Sequence, residues 1–560
     1  MGADKREIKR TLSRRTFLKQ TVKAGVALTV AGSLPLSPSL RATASSDKDY
    51  DLLIKGGTVY DGTLNSPRQI DIGIKGGKIT ALGNLTGAAK IIDAQGLVVT
   101  PGFIDVHTHC DQAFEFMNPR FLADTFAEMK GNFNYLYQGV TTVVTGNCGL
   151  GITDTQKWRD MIKTMSFATN VFHLAPHGAI RAELFGTNQP GELTANQLEA
   201  LKQRIGAEME KGAVGVSTGL EYAPGLLAST RELIEIAKVA GRFGGIYTTH
   251  MRDESGRTLE GGRQGIMAAL EEAVEVGRRS GTPVEISHFK IFAPANHLAP
   301  SRVLEVVEKA RREGIDLHAD QYPYDAASTT ITQLIPIKFR EKFYGGVKAE
   351  FKTEKGKKEI KEAIEATFTY LPPEKTLISF YPGHAELEGK TLKEIAEIKG
   401  LSPSTCYVEM VCGRICPTGI FFGMDMGQIK EFAAKDYLLT ASDGYTVMKG
   451  SQRPHPRCYG TFPRKLKEFA IENKILSLPA AIRSMTSLPA EKFRIKNRGR
   501  IEKGFQADIA VIDLDNFSDK ATYLEPHQYA TGVRYLLVNG TIVIADGQAS
   551  GGGKGFILQR

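Results

Sequence analysis

No stretch of this chain is long and apolar enough for a comfortable membrane span. The nearest candidate, Ala24 to Leu36, is short and interrupted by glycine, threonine and serine. Cysteine is scarce, with six in 560 residues (Cys110, Cys148, Cys406, Cys412, Cys416 and Cys458). None forms a Cys-x-x-Cys pair, which argues against a zinc ribbon or a thioredoxin-like site. Cys406, Cys412 and Cys416 cluster, and their spacing is compatible with either a disulfide or free buried thiols. An excess of basic charge is also missing from most of the chain. The formal charge is +9, but residues 1–44 hold nine basic and two acidic residues, so the remainder carries only +2. That balance points to no nucleic-acid partner.

The basic start has its own logic. Ser13-Arg14-Arg15-Thr16-Phe17-Leu18-Lys19 carries paired arginines ahead of the mild apolar run, and Ala42-Thr43-Ala44 is a small-x-small cleavage signal. Residues 1–44 resemble a twin-arginine export signal, which implies the twin-arginine machinery as a partner and a periplasmic or extracellular location.

The most informative stretch is Phe103-Ile104-Asp105-Val106-His107-Thr108-His109, started cleanly by Pro101-Gly102. Side chains alternate along a strand, so His107 and His109 share a face and can reach one metal ion. Seven further apolar runs end near Thr145, Leu174, Ser217, Thr249, Ser287, Ala319 and Thr440. Helical patterns separate several of them, at Gln197–Lys211, Arg231–Phe243, Gly265–Ser280 and Arg302–Glu313. Eight such units predict an α/β fold, a (β/α)8 TIM-like barrel over 101–489, with its site at the C-terminal strand ends. A lysine-rich insertion at about 325–434 precedes the last strand; Lys348–Lys361 within it reads as helix, and its position suits a lid or specificity segment. Short strands ending at Gly-Gly turns mark 45–100, and similar runs mark 490–560. Neither end has enough strands for a core, so the two are expected to combine into one small β-sandwich domain.

The strand ends carry the chemistry. His107 and His109, Cys148, Tyr222, His250, His288 with Lys290, and Asp443 all fall there. Imidazole and thiolate suit zinc better than magnesium or calcium. An amide hydrolase also needs a carboxylate to move the proton from water to the leaving nitrogen, and Asp443 fits that place. His173 and His177 read as structural histidines; His318, His384, His455 and His527 read as structural or peripheral. Lys290 and Arg457 are candidate anchors for a substrate carboxylate.

These motifs resemble the amidohydrolase superfamily, and within it the D-aminoacylase (N-acyl-D-amino-acid deacylase) group. The resemblance covers about residues 50–545. It is carried by Pro101 to His109, Gly146-Asn147-Cys148-Gly149, Ser217-Thr218-Gly219-Leu220-Glu221-Tyr222, His250-Met251-Arg252-Asp253-Glu254, Ser287-His288-Phe289-Lys290, Ser442-Asp443-Gly444, His455-Pro456-Arg457 and Glu525 to Gly532. The cysteine motif is the specific one, because hydantoinase-like relatives use a carboxylated lysine to bridge two metals. The resemblance implies a tight zinc on Cys148, His250 and His288. It implies a second, weaker position near His107 and His109, shared with Cys148 and Asp443. Asp443 becomes the catalytic acid–base, and Tyr222, Lys290 and Arg457 grip the carboxylate of an N-acyl-D-amino acid. Two departures bear on substrate choice: Phe289 stands where the family often has a second histidine, and Tyr445–Gln452 lengthens the loop before Arg457. The expected activity is zinc-dependent hydrolysis of a linear amide to a carboxylate and a free D-amino acid. The alternatives are a related amidohydrolase acting on D-dipeptides, cyclic amides or another small amide, and a non-catalytic exported binding protein.

Overall fold

The structure, a computed structural model, describes residues 49–115, 127–187, 191–258, 264–293, 298–336, 339, 353–550 and 555. The expected export signal, residues 1–44, lies outside the described residues, as do residues 348–352 of the expected insertion helix.

Eight short strands follow one another where the apolar runs place them: β1 (Phe103–Asp105), β2 (Val140–Thr145), β3 (Asn170–His173), β4 (Gly215–Gly219), β5 (Ile246–His250), β6 (Val284–Ile286), β7 (Leu317–Gln321) and β8 (Leu438–Thr440). The pairs β1–β2 and β2–β3 are parallel. Ala175–Pro176, just beyond β3, pairs in parallel with β4, and the parallel order continues through β5, β6 and β7 to β8. Beyond β8 the hydrogen bonding returns to the start: Asp443 N–H donates to the His107 carbonyl at 2.9 Å, and His109 N–H donates to the Gly444 carbonyl at 2.7 Å. β2, β4, β5, β6 and β8 are buried along their whole length. That burial on both faces explains why they read as continuous apolar runs rather than as alternating patterns.

Helices on the outside supply the second layer. Thr230–Arg242 buries Leu233, Ile234, Ile236, Ala237, Val239 and Ala240, a stripe at helical spacing, and starts where Ser229 Oγ accepts the Glu232 N–H. Ala195–Glu210 begins at a reciprocal cap between Thr194 and Gln197. Among the described residues no helix is long and apolar enough to cross a membrane.

The two chain ends do combine. Ile509–Ile512 pairs antiparallel with Val98–Pro101, so one seven-stranded sheet contains strands from both. Leu52, Ile54 and Ile72 from the first end pack with Ile509, Val511 and Leu537 from the last.

The insertion has a core of its own. Ala327–Thr330, Thr418–Phe421 and Thr376–Phe380 form an antiparallel sheet, backed by Ile360, Ile364, Ile378, Tyr407 and Phe421. Its helix runs Glu354–Phe368, later than the lysine-rich stretch suggests, because Thr353 caps it by accepting the Gly356 N–H. Cys406, Cys412 and Cys416 are free thiols here.

Candidate metal centre

β1 ends at Asp105, two residues short of His107, so the two histidines sit on the turn beyond the strand rather than in it. The Asp105 side chain accounts for the stop. Its Oδ1 accepts the backbone N–H of His107 at 3.2 Å and of Ser442 at 3.1 Å, and so ties the loops after β1 and β8 together. Burial pushes the Asp105 carboxyl up to about 7.

The loop after β2 is fastened in a similar way. Asn147 Nδ2 donates to the carbonyls of Val106, Thr108 and Val144 at 3.0–3.3 Å, which brings Cys148 against the histidine pair. Cys148 has a φ of 54°, and His288 and Asp443 also lie at positive φ, 37° and 49°. Non-glycine residues held in this region cost about 1–3 kcal/mol each and cluster at functional sites. Gly219 faces the Cys148 carbonyl so closely that a Cβ there would collide with it.

The donor atoms converge from five loops. Cys148 Sγ is 3.3 Å from His107 Nε2 and 3.7 Å from His288 Nε2. His288 Nε2 is 2.9 Å from His250 Nδ1. Asp443 Oδ1 is 3.2 Å from His109 Nε2 and 3.5 Å from His107 Nε2. Two groups of potential ligands result, His107–His109–Cys148 and Cys148–His250–His288, each with donor atoms within 4.8 Å of one another. They share the cysteine.

Second partners fix the rings. His107 Nδ1 meets Asp320 Oδ2 at 2.9 Å, while Asp320 Oδ1 accepts the His288 backbone N–H. His288 Nδ1 lies 2.8 Å from Glu254 Oε1 without hydrogen-bonding to it, and meets Lys290 Nζ at 2.9 Å. The Asp320 carboxylate on the outer nitrogen of His107 favours the tautomer whose other nitrogen faces the centre, the usual way a protein orients a metal-ligating histidine. His250 Nε2 is buried without a hydrogen-bond partner, the carboxylates of Glu221 and Glu254 being 3.8 and 4.0 Å away.

Electrostatics agree with a cation-seeking site. Burial opposes charge on every member, yet the imidazole of His107 holds the Cys148 thiol well below its ordinary range. Against the same penalty, Arg457 and then His107 hold the Asp443 carboxyl well below the usual carboxylate range. His250 is raised to about 10 despite burial, chiefly by Glu254, and His109 to about 9, chiefly by Asp443. Thiolate, imidazole and carboxylate donors with ordered outer partners are the chemistry of a zinc site.

The three expected carboxylate anchors differ in setting. Arg457 Nη2 pairs with Asp443 Oδ2 at 2.9 Å, and its guanidinium lies 4.6 Å over the Tyr322 ring. Lys290 Nζ pairs with Glu254 Oε2 at 2.5 Å and is buried. Tyr222 stacks edge-on against His250, and its hydroxyl meets Thr329 Oγ1 of the insertion at 3.2 Å. Tyr322 is absent from the sequence reading. Its hydroxyl is buried with no partner, as is Arg457 Nε. The strand-end rule reaches it, since Asp320 and Tyr322 are alternate residues at the end of β7, but no motif of the resemblance covers that strand end. His173 bonds Thr145 and the Ile152 carbonyl, and His177 bonds Glu232, away from this cluster.

The class that this architecture and donor set define is that of α/β metallohydrolases. The chain belongs to the amidohydrolase family, whose model matches residues 90–334 and 382–544. It is 31% identical to a D-aminoacylase of Alcaligenes xylosoxydans xylosoxydans, over 92% of this chain and 99% of that one. It is 32% identical to an N-acyl-D-glutamate deacylase of the same organism, over 88% and 93%. Its fold is similar, with a TM-score of 0.76, to the crystal structure of the N-acyl-D-glutamate deacylase of Bordetella bronchiseptica complexed with zinc and a phosphonate mimic of the tetrahedral intermediate; identity is 29%, covering 92% of this chain and all of that one.

Proposed function

We propose that this protein is an exported zinc hydrolase that cleaves the amide bond of N-acyl-D-amino acids, releasing a carboxylate and a free D-amino acid. The observation that carries the reading is the pair of donor groups sharing Cys148, set beside an aspartate that an arginine holds ionised. The relatives named D-aminoacylase and N-acyl-D-glutamate deacylase support the substrate class.

Cys148, His250 and His288 would hold the tight zinc, and His107, His109 and Asp443 with Cys148 would form a weaker second position. When bound, zinc supplies a Lewis acid to the scissile carbonyl and lowers the pKa of water to about 7. Asp443 Oδ1 takes a proton from the attacking water and returns it to the leaving nitrogen. Its other oxygen stays on Arg457, which keeps the carboxylate charged and aimed. Tyr322, Arg457 and Lys290 receive the substrate carboxylate. The unpartnered Tyr322 hydroxyl and Arg457 Nε support that assignment, since buried donors of this kind are costly unless something fills them. Tyr222, backed by Thr329, walls the opposite part of the site.

In this reading β1 to β8 close into a (β/α)8 barrel over 101–489, supported by the backbone hydrogen bonds that join Asp443 to His107 and Gly444 to His109. Residues 45–100 and 490–560 form a β-sandwich, and the insertion at about 325–434 covers the site through Ala327–Thr330. Residues 1–44 take the folded chain through the twin-arginine route to the periplasm or beyond.

The test is amine release by the zinc-loaded protein from paired D and L N-acetyl-amino acids with acidic, apolar and aromatic side chains. Release from D forms alone, abolished in Cys148→Ala, is the expected result. Zinc-loaded protein that releases amine from no pair would refute the deacylase assignment.

A further inference from the structure

Arg457 has two tasks in the proposed reaction: it keeps Asp443 ionised and aimed, and it receives the substrate carboxylate. Both need its backbone fixed. Arg457 opens the helix Arg457–Arg464, so its N–H has no acceptor within that helix. His455 supplies one, Nδ1 accepting the Arg457 N–H at 3.0 Å. The other ring nitrogen, Nε2, donates to the Ala326 carbonyl at 3.0 Å, at the root of the insertion strand Ala327–Thr330. The ring is 1% exposed and packs edge-on against Tyr324 and Tyr523, with centroids 5.3 and 5.1 Å away. Burial, and then the Arg457 charge, hold its pKa well below the ordinary value, so the imidazole is neutral and offers one donor and one acceptor. Both are engaged. The Arg457 side chain meets the same strand again, Nη2 donating to the Ser328 carbonyl at 3.4 Å.

We infer that His455 is a positioning residue: held by the Ala326 carbonyl, it caps Arg457 and so places the guanidinium for both Asp443 and the substrate carboxylate. The physical reason is the cost of an orphaned donor. Without the imidazole, the buried Arg457 N–H has no acceptor, and the first turn of its helix must shift or admit water to satisfy it. The guanidinium then loses its fixed seat over the Tyr322 ring and its geometry on Asp443 Oδ2. Two variants divide the contacts of the ring. His455→Asn sets Oδ1 where Nδ1 stands, accepting the N–H two residues on as in an Asx turn, and gives up the Ala326 contact. His455→Gln sets its Nε2 toward the Ala326 carbonyl and leaves the Arg457 N–H without an acceptor.

This inference rests on the deacylase reading for the tasks of Arg457, and its test is chosen to fail separately from it. Zinc-loaded wild type and both variants are compared on an N-acyl-D-amino acid and its methyl ester. In His455→Gln, KM for the acid should rise by about 3–10-fold, the worth of one hydrogen bond, while KM for the ester stays put. Its kcat should fall on both substrates, because Arg457 also aims Asp443. His455→Asn should keep the acid KM near that of wild type. A merely structural histidine would lower kcat through a smaller active fraction and leave KM alone in both variants. That result, or an acid KM that rises equally in both, would overturn the inference. Wild type that releases amine from no N-acyl-D-amino acid would sink the deacylase reading, and hydrogen exchange then reads the cap without a substrate. In the peptide that spans Arg457, His455→Gln should lose protection of one amide and His455→Asn should keep it. Equal protection in all three proteins would overturn the cap whatever the substrate.

Discussion

At the scale of single residues, the site is built from charges that hold one another. Asp443 and Arg457 pair, Lys290 and Glu254 pair, and Tyr322 lies under the Arg457 guanidinium with its hydroxyl unsatisfied. A substrate carboxylate is the missing partner for that hydroxyl. Tyr322→Phe should therefore raise KM for N-acyl-D-amino acids and lower kcat/KM by roughly 10-fold, the worth of one hydrogen bond to a charged group. The same variant should act normally on the corresponding methyl esters, which lack the carboxylate. Steady-state kinetics on acid and ester pairs checks this; equal loss on both would place Tyr322 elsewhere in the mechanism. Tyr222→Phe is the useful contrast, since its hydroxyl already has Thr329. The sequence makes Tyr222 the more visible of the two because it lies in a recognisable motif. Tyr322 becomes visible only once Arg457, 135 positions later in the chain, is seen to lie over its ring.

At the scale of elements, the strand ends were legible because parallel strands buried on both faces leave an unbroken apolar run, and the donors stand at or just past five of the eight runs. What was not legible is pairing between loops. Nothing near Lys290 in sequence, apart from its membership of a motif, announces Glu254 as its partner, and the contact exists only because β5 and β6 are neighbours. Helix ends between the strands were legible to within two residues, with a side-chain cap at Ser229 and without one at Gly265–Ser280, whereas the insertion helix lies six or seven residues later than its lysine-rich pattern suggests. One element carries an unexpected charge. Lys465, where Arg457–Arg464 runs on into Lys465–Glu472, is buried against the Phe469 ring, and burial alone depresses its pKa to about 7. Its folded pKa lies below that of the unfolded chain, so the unfolded state binds more protons between pH 7 and about 10.4, and stability rises with pH across that window. At neutral pH the full penalty, on the order of 4–5 kcal/mol, is nearly all present. Lys465→Met should stabilise the protein at pH 7 and flatten its stability between pH 7 and 10. Urea midpoints at the two pH values decide it: a variant that keeps the wild-type slope would show that Lys465 is not the group titrating.

At the scale of the whole molecule, the site is where distant parts of one chain are fastened together. His107 and Asp443 are separated by most of the described sequence, yet the loops carrying them exchange backbone hydrogen bonds and share the Asp105 carboxylate. The sheet behind β1 is likewise made from both ends, with Val98–Pro101 leading into the histidines and Ile509–Ile512 pairing alongside. A metal ion held by Cys148, His250 and His288 would brace three further loops across the same end. Its removal should thus cost stability as well as activity. The donor residues at positive φ fit this expectation, because a bound ion would help to offset their backbone strain. Ligand linkage sets the size: free zinc at a hundred times its dissociation constant adds about 2.7 kcal/mol. Stripping with a chelator should abolish amine release and lower the apparent Tm by a few degrees. Zinc should restore both, and magnesium neither, since a thiolate and imidazoles are poor ligands for a hard cation. Calorimetry and amine release on the same stripped and reloaded samples make the comparison. Recovery of activity without recovery of Tm would mean that the ion serves the chemistry alone and that the loops are held by their own hydrogen bonds.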